Sequence, residues 1–289
     1  MKTVTRLAPL SLAATALLLA APLGAQQRDF GDVRITPHHV AGSVYYLEGQ
    51  GGHVVVSAGD DGVVMIDDQF APLTERIIAA VRTISDEEIR FLVNTHVHPD
   101  HTGGNENIGR LGIPIMARDR VRVRLMASLP EIALPIVTFT DDIALHLNGE
   151  DMDVVILPPA HTDGDSFIYF RGSDVIAAGD VFRTVAFPVI DMANGGTLDG
   201  TIEALGILAG TAGPNTRIVP GHGVVSTRAD VIEFRDMVLD VKARVADMVA
   251  RGMTYEQVQA ARPTASYEAK WGDPERFLTA VYAELGGGS

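Results

Sequence analysis

Short apolar runs, each closed by a polar or glycine-rich break, recur along most of the chain, and a helical period takes over near its end. Residues 28–39 are polar and irregular and read as a lead-in. Runs at 44–47, 53–57 and 63–67 read as strands, the first two joined by a glycine-rich loop at 49–52 and the last two by a turn cluster at 57–62. Residues 74–84 carry Ile77, Ile78 and Val81 at helical spacing. Phe91, Leu92 and Val93 form a buried-strand run that ends at Asn94. Beyond it the pattern predicts a short helix at 105–111, a strand at 113–117, a charged helix at 119–127 and a proline-bounded loop at 130–135.

The second half repeats the scheme of strands that end in polar loops. Residues 143–147 alternate, with Ile143, Leu145 and Leu147 on one face. Strands are expected at 153–157, 167–170, 175–178 and 217–219, with a helix at 197–208 before the last of them. Val231, Phe234, Val238, Val241, Val245 and Met248 follow a period close to 3.6, so 229–250 reads as a long helix closed by Gly252. Thr254 and Gln257 form a capping-box signature, and Asp273-Pro274 opens a last helix to 284, leaving a frayed tail at 286–289.

The chemistry concentrates where the strand at 91–94 ends. Residues 95–104 read T-H-V-H-P-D-H-T-G-G, which places His96, His98, Asp100 and His101 within six residues. Neutral imidazole and carboxylate both present lone pairs near pH 7, as metal ligands must. Residues at i and i+2 leaving a strand point the same way, so His96 and His98 can share one ion. An accidental clustering of polar residues in a glycine-terminated loop is the rival account. Three further polar residues, His161, Asp180 and His222, stand at strand exits beside glycine or proline. Two ions can be satisfied, His96, His98 and His161 holding one and Asp100, His101 and His222 the other, with Asp180 bridging both.

Composition narrows the setting. Residues 1–25 read as a removable export signal: Lys2 and Arg6 supply the positive start, residues 8–21 the apolar run, and Ala25 the cleavage point. The run is short and rich in small residues for a membrane span, although an uncleaved anchor is the alternative. Removal leaves 289 − 25 = 264 residues, expected as one domain over 26–289 with a helical part from 229. It deletes two positive charges, so the net charge moves from −14 to −16, and the protein is expected in the periplasm or secreted. That acidity argues against nucleic acid and anionic membrane surfaces as partners, and the expected partner is a small-molecule substrate. The chain has no cysteine, so its core must hold the fold without disulfides, and only His, Asp and Glu are left as ligands.

The H-x-H-x-D-H loop, followed by a lone His, an Asp after a strand and a late G-H, resembles the metallo-β-lactamase superfamily. The resemblance runs from about Val44 to His222. It implies an α/β fold, a four-layer αβ/βα sandwich of two mixed sheets flanked by helices, with the site at their shared edge. It also implies a binuclear zinc hydrolase (manganese or iron being possible occupants), in which a metal-bridging hydroxide attacks an ester, thioester, lactone or lactam carbonyl. Asp100 would orient the nucleophile and accept a proton, and Asp67 would support a ligand histidine. Asp at position 180 departs from the true β-lactamases, which carry Cys or a non-ligating Ser there, and so places β-lactam hydrolysis in doubt. Arg183 stands where many of those enzymes hold a substrate carboxylate, and Asn194 begins either a substrate-side loop or the lead-in to a helix. The 49–52 loop resembles the family's substrate flap, or is a plain hairpin connection. Alternatives are β-lactam hydrolysis itself, iron-dependent persulfide oxidation, and a non-catalytic metal-binding scaffold.

Overall fold

The computed structural model describes residues 29–286, so the expected export signal and most of the C-terminal tail lie outside the described residues. The chain first forms an antiparallel meander of β1 (Thr36–Ala41), β2 (Val44–Glu48), β3 (Val54–Gly59) and β4 (Gly62–Ile66). Helix α1 (Thr74–Arg82) then carries it to β5 (Ile89–Asn94), parallel to β4. Short helices α2 (Pro99–Thr102) and α3 (Asn105–Arg110) precede β6 (Ile115–Arg118). Helix α4 (Asp119–Leu125) precedes β7 (Val137–Phe139), which completes a seven-stranded sheet in sequence order.

The second sheet has five strands: β8 (Ile143–Leu147), β9 (Glu150–Ile156), β10 (Ser166–Phe170), β11 (Val175–Ala177) and β12 (Arg217–Val219). All its pairings are antiparallel except β11 with β12, which the crossover helix α5 (Leu198–Thr211) makes parallel. The chain ends in α6 (Arg228–Ala250), α7 (Tyr255–Ala261), α8 (Glu268–Trp271) and α9 (Glu275–Glu284).

Strand alternation sorts the apolar residues into layers. On β3, Val55 faces the second sheet and packs in one core with Val64, Val93, Val154, Ile168 and Phe170. Val54 and Val56 face outward and pack with Leu92, Leu73, Ile77 and Val81 under α1. Phe167 and Ile176 on the far face of the second sheet meet Leu205, Leu208, Phe234, Val238 and Phe277 from α5, α6 and α9. The result is a four-layer αβ/βα sandwich of two mixed sheets. No helix among the described residues is long and apolar enough to cross a membrane.

Some elements differ from the pattern's expectation. The stretch holding His38 and His39 is strand β1, not irregular lead-in. Its pairing with β2 supplies what its own polar sequence lacks, with His38 set against Tyr46 and bonded to Glu48. Strand β7 is three residues long and two of them are exposed, too short for alternation to register. The stretch expected as loop between Pro130 and Pro135 contains a 3₁₀ turn, Glu131–Ala133. The capping box at Thr254 and Gln257 is formed, and a second one caps α6 at Thr227 through Asp230.

Candidate metal centre

The candidate ligands leave the ends of both sheets at one edge. His96, His98, Asp100 and His101 follow β5, His161 lies between β9 and β10, Asp180 follows β11, and His222 follows β12. Loops beyond the carboxyl ends of neighbouring strands are natural convergence points for a site. Ligand atoms of His96, His98 and His161 lie within 4.8 Å of one another, and so do those of Asp100, His101 and His222. Asp180 stands between the two groups. Its Oδ1 lies 3.2 Å from His101 Nε2 and 3.3 Å from His222 Nε2, while Oδ2 lies 3.7 Å from His161 Nε2. The structure thus brings together all seven residues singled out in the sequence.

Proton bookkeeping shows what this cluster is built to receive. Asp67 can only accept hydrogen bonds, and it takes them from the Thr95 amide at 2.8 Å, the Thr95 hydroxyl at 2.7 Å and His101 Nδ1 at 2.7 Å. In the neutral ring this leaves His101 Nε2 as a lone pair, the position that a metal ion would take in place of a proton. The Thr95 hydroxyl has spent its proton on Asp67, so His96 Nδ1, 3.0 Å away, donates to it, and His96 Nε2 is likewise bare. His161 Nδ1 donates to the Val189 carbonyl at 2.6 Å, and His98 Nε2 to Asp191 at 2.7 Å. This sets His161 Nε2 and His98 Nδ1, 2.7 Å apart, as two lone pairs facing each other. Nε2 of His96 and of His101 and Oδ1 of Asp180 are buried without a hydrogen-bond partner. Convergent, buried, unpartnered lone pairs on nitrogen and oxygen fit divalent metal ions. Asp67, His96 and His101 also lie close enough to form a third ligand group, but Asp67 is saturated by its donors and serves instead to orient His101.

Electrostatics follow from burial and pairing. Burial pushes His96 well below the ordinary imidazole value and His161 down to about 4, so both stay neutral at pH 7. Burial also opposes charge on His101, but Asp180 and Asp67 outweigh it and hold its pKa well up. His222 is raised by the neighbouring carboxylates of Asp100 and Asp180 against the same burial. The two carboxylates resist burial in turn. Asp180 is held well below its usual range chiefly by His101, and Asp100 is lowered to about 2 by its bond to His222.

Two glycines make the approach possible. A Cβ on Gly52 would lie 2.0 Å from the His101 ring, and one on Gly221 would lie 1.9 Å from Asp180 Oδ1. The 49–52 loop is pinned rather than flap-like: the Gly52 amide donates to the Asp100 carbonyl, and Gln69 donates to the Gly52 carbonyl. His53, just beyond, is buried with Nδ1 on the Pro220 carbonyl, which ties this loop to the turn holding His222.

Arg183 forms an isolated bridge with His222. Its Nη1 lies 4.0 Å from Asp180 Oδ2 and its buried Nε has no hydrogen-bond partner. Asn194 is engaged elsewhere: Nδ2 donates to Asp191, and Oδ1 accepts from Arg124, which also clasps Asp163. Sequence reasoning missed the residues that set the tautomers of His98 and His161, namely Asp191 and the Val189 carbonyl. The sequence around them offers only a possible turn at Asp191, with no sign of a partner 93 residues away.

Among solved structures, a metallo-beta-lactamase from Pontibacter korlensis is 19% identical, with a TM-score of 0.65 over 72% of this chain and 100% of that one. The DIM-1 metallo-beta-lactamase is 16% identical, with a TM-score of 0.64 over 72% and 99%. A double mutant of the sec-alkyl sulfatase PisA1 is 15% identical and covers 88% of this chain but 51% of its own length, with a TM-score of 0.71. No curated protein sequence shows significant similarity to the chain. The sequence model of the metallo-beta-lactamase superfamily matches residues 38–222, which takes in every strand, β1 from its third residue, and every candidate ligand. The chain belongs to the metallo-β-lactamase superfamily.

Proposed function

We propose that the protein is an exported, binuclear zinc hydrolase acting on a carbonyl substrate, an ester, thioester, lactone or lactam. The observation that carries this reading is the facing of two ligand groups, His96, His98 and His161 against Asp100, His101 and His222, across Asp180. Divalent metal bound there would polarise the substrate oxygen and bring the pKa of a coordinated water towards roughly 7.

The chain's own residues supply the rest. Asp67, Thr95, Asp191 and the Val189 carbonyl hold the four imidazoles in the tautomers that point lone pairs inward. Asp100 is the more exposed of the two carboxylates in the cluster, and its low pKa keeps it anionic at neutral pH. It can therefore accept a hydrogen bond from the attacking water and fix its direction. Arg183 offers a cation beside Asp180 to an anionic group on the substrate. Asn194 contributes by bracing Asp191 and through it His98.

The test is metal analysis of the purified protein together with a hydrolysis screen of chromogenic esters, lactones, thioesters and a cephalosporin. The alkyl sulfatase neighbour, whose fold covers more of this chain than the lactamases do, adds alkyl sulfate esters to that screen. About two equivalents of metal are expected, with loss of both metal and hydrolysis in His98→Ala. Full activity in metal-free protein would sink the reading.

A further inference from the structure

A cavity of about 710 Å³ opens between residues 183–192 and helix α9. That volume lies in the range of small-molecule sites. Its floor is apolar: Phe187 and Phe277 stack with centroids 5.6 Å apart, and Val189, Ile190 and Ala280 continue the surface. Arg183 lines the cavity too, and its Nη1 lies 4.0 Å from Asp180 Oδ2 in the candidate ligand cluster. Asp273, Glu275 and Arg276, exposed where α9 begins, also line the cavity.

The wall nearest the cluster is chemically tied to it. Val189 lines the cavity, and its carbonyl accepts from His161. Asp191, one residue beyond Ile190, accepts from His98 and donates its amide to the His161 carbonyl. A molecule seated along this wall therefore has one end beside the candidate metal ligands. Arg183 has a buried Nε without a partner, and a planar guanidinium satisfies such donors best with a carboxylate or sulfate. Of the two arginines that line the cleft, Arg276 stands beside Asp273 and Glu275, whereas Arg183 stands beside the candidate metal ligands, which in a chain of net charge −14 makes it a selective feature.

We infer that this cleft binds an aliphatic anion, its chain on Phe187, Val189 and Phe277 and its carboxylate or sulfate on Arg183. The inference rests on the hydrolase reading for its consequence: the substrate carries an extended aliphatic chain next to the bond that is cleaved. Binding itself needs no turnover.

Trp271, the chain's single tryptophan, is buried with its ring 6.2 Å from Phe187 and can report occupancy. The purified chain is titrated with sodium decanoate and with sodium decyl sulfate below their micelle concentrations, following Trp271 fluorescence. Sodium butyrate and decyltrimethylammonium serve as controls. Saturable changes are expected with both decyl anions, and binding at least about tenfold weaker with the short anion and the cation, which lose the chain contacts or the Arg183 pairing. Arg183→Gln and Ala283→Phe, which puts a ring at a position of α9 that lines the cleft, should each weaken decanoate binding, with circular dichroism confirming the fold. No saturable change, equal binding of anion and cation, or unaltered binding in both variants would overturn the inference. Decanoate binding without hydrolysis of any ester by metal-loaded protein leaves the cleft standing and defeats the hydrolase reading. Hydrolysis without decanoate binding or chain-length preference does the reverse.

Discussion

Each candidate ligand histidine has two ring nitrogens, and the one facing away from the cluster decides what the other can do. Asp67 does this for His101 from an unusual backbone position, φ 63°, in a left-handed conformation that a non-glycine residue avoids. Its amide bond to Val93 and its carboxylate bonds to Thr95 and His101 hold it there. Asp67→Ala should therefore weaken metal binding by roughly 10–100-fold, measured by competition with a chromogenic chelator. Unchanged affinity in a folded variant would show that His101 needs no such partner. Asp191 offers a graded version. Asp191→Asn keeps an acceptor oxygen for His98 Nε2, whereas Asp191→Ala removes it, so the alanine variant should lose clearly more affinity. Equal affinities would mean that Asp191 only shapes its own turn, which it caps through the Asn194 amide.

At the scale of elements, helix α6 joins the sheet to the C-terminal helices, and its start depends on one carboxylate. Asp230 accepts from both the amide and the hydroxyl of Thr227, which lowers its pKa against partial burial. Asp230→Ala should cost about 1 kcal/mol in urea unfolding at pH 7. A depressed folded-state pKa gives stability that is present above the unfolded value and lost as pH falls through the folded one, so the difference should shrink towards pH 3. A gap that is constant with pH would assign the loss to helix propensity instead. The sequence made α6 legible through its regular run from Val231 to Met248, but hid this cap, because T-R-A-D carries Asp where the usual signature has Glu or Gln. The ligand loop after β5 was equally legible, because strand exit and metal-competent residues are contiguous there. Strand β1 was not, since its existence depends on pairing with β2 rather than on its own apolar pattern. The bond from Asp191 to His98 was invisible for the same reason: it is made by the packing of two loops distant in sequence.

Across the whole molecule, the cluster sits where both sheets end, so its candidate ligands come from four separate connections of the chain. The buried Nε2 atoms of His96 and His101 and Oδ1 of Asp180, which have no hydrogen-bond partner, leave that edge short of partners unless a cation joins it. Metal binding to the folded chain should then raise its stability by mass action, about 2.7 kcal/mol at a free metal concentration a hundredfold above Kd. For a domain of this size that corresponds to a rise of roughly 5–10 °C in Tm between chelator-treated and zinc-loaded protein, read by calorimetry. The same comparison in His98→Ala should give a smaller rise. In Asp230→Ala, whose change lies in the cap of α6, the rise should equal that of the unaltered chain. An equal rise in His98→Ala would place the stabilising metal somewhere other than the edge where the two sheets meet.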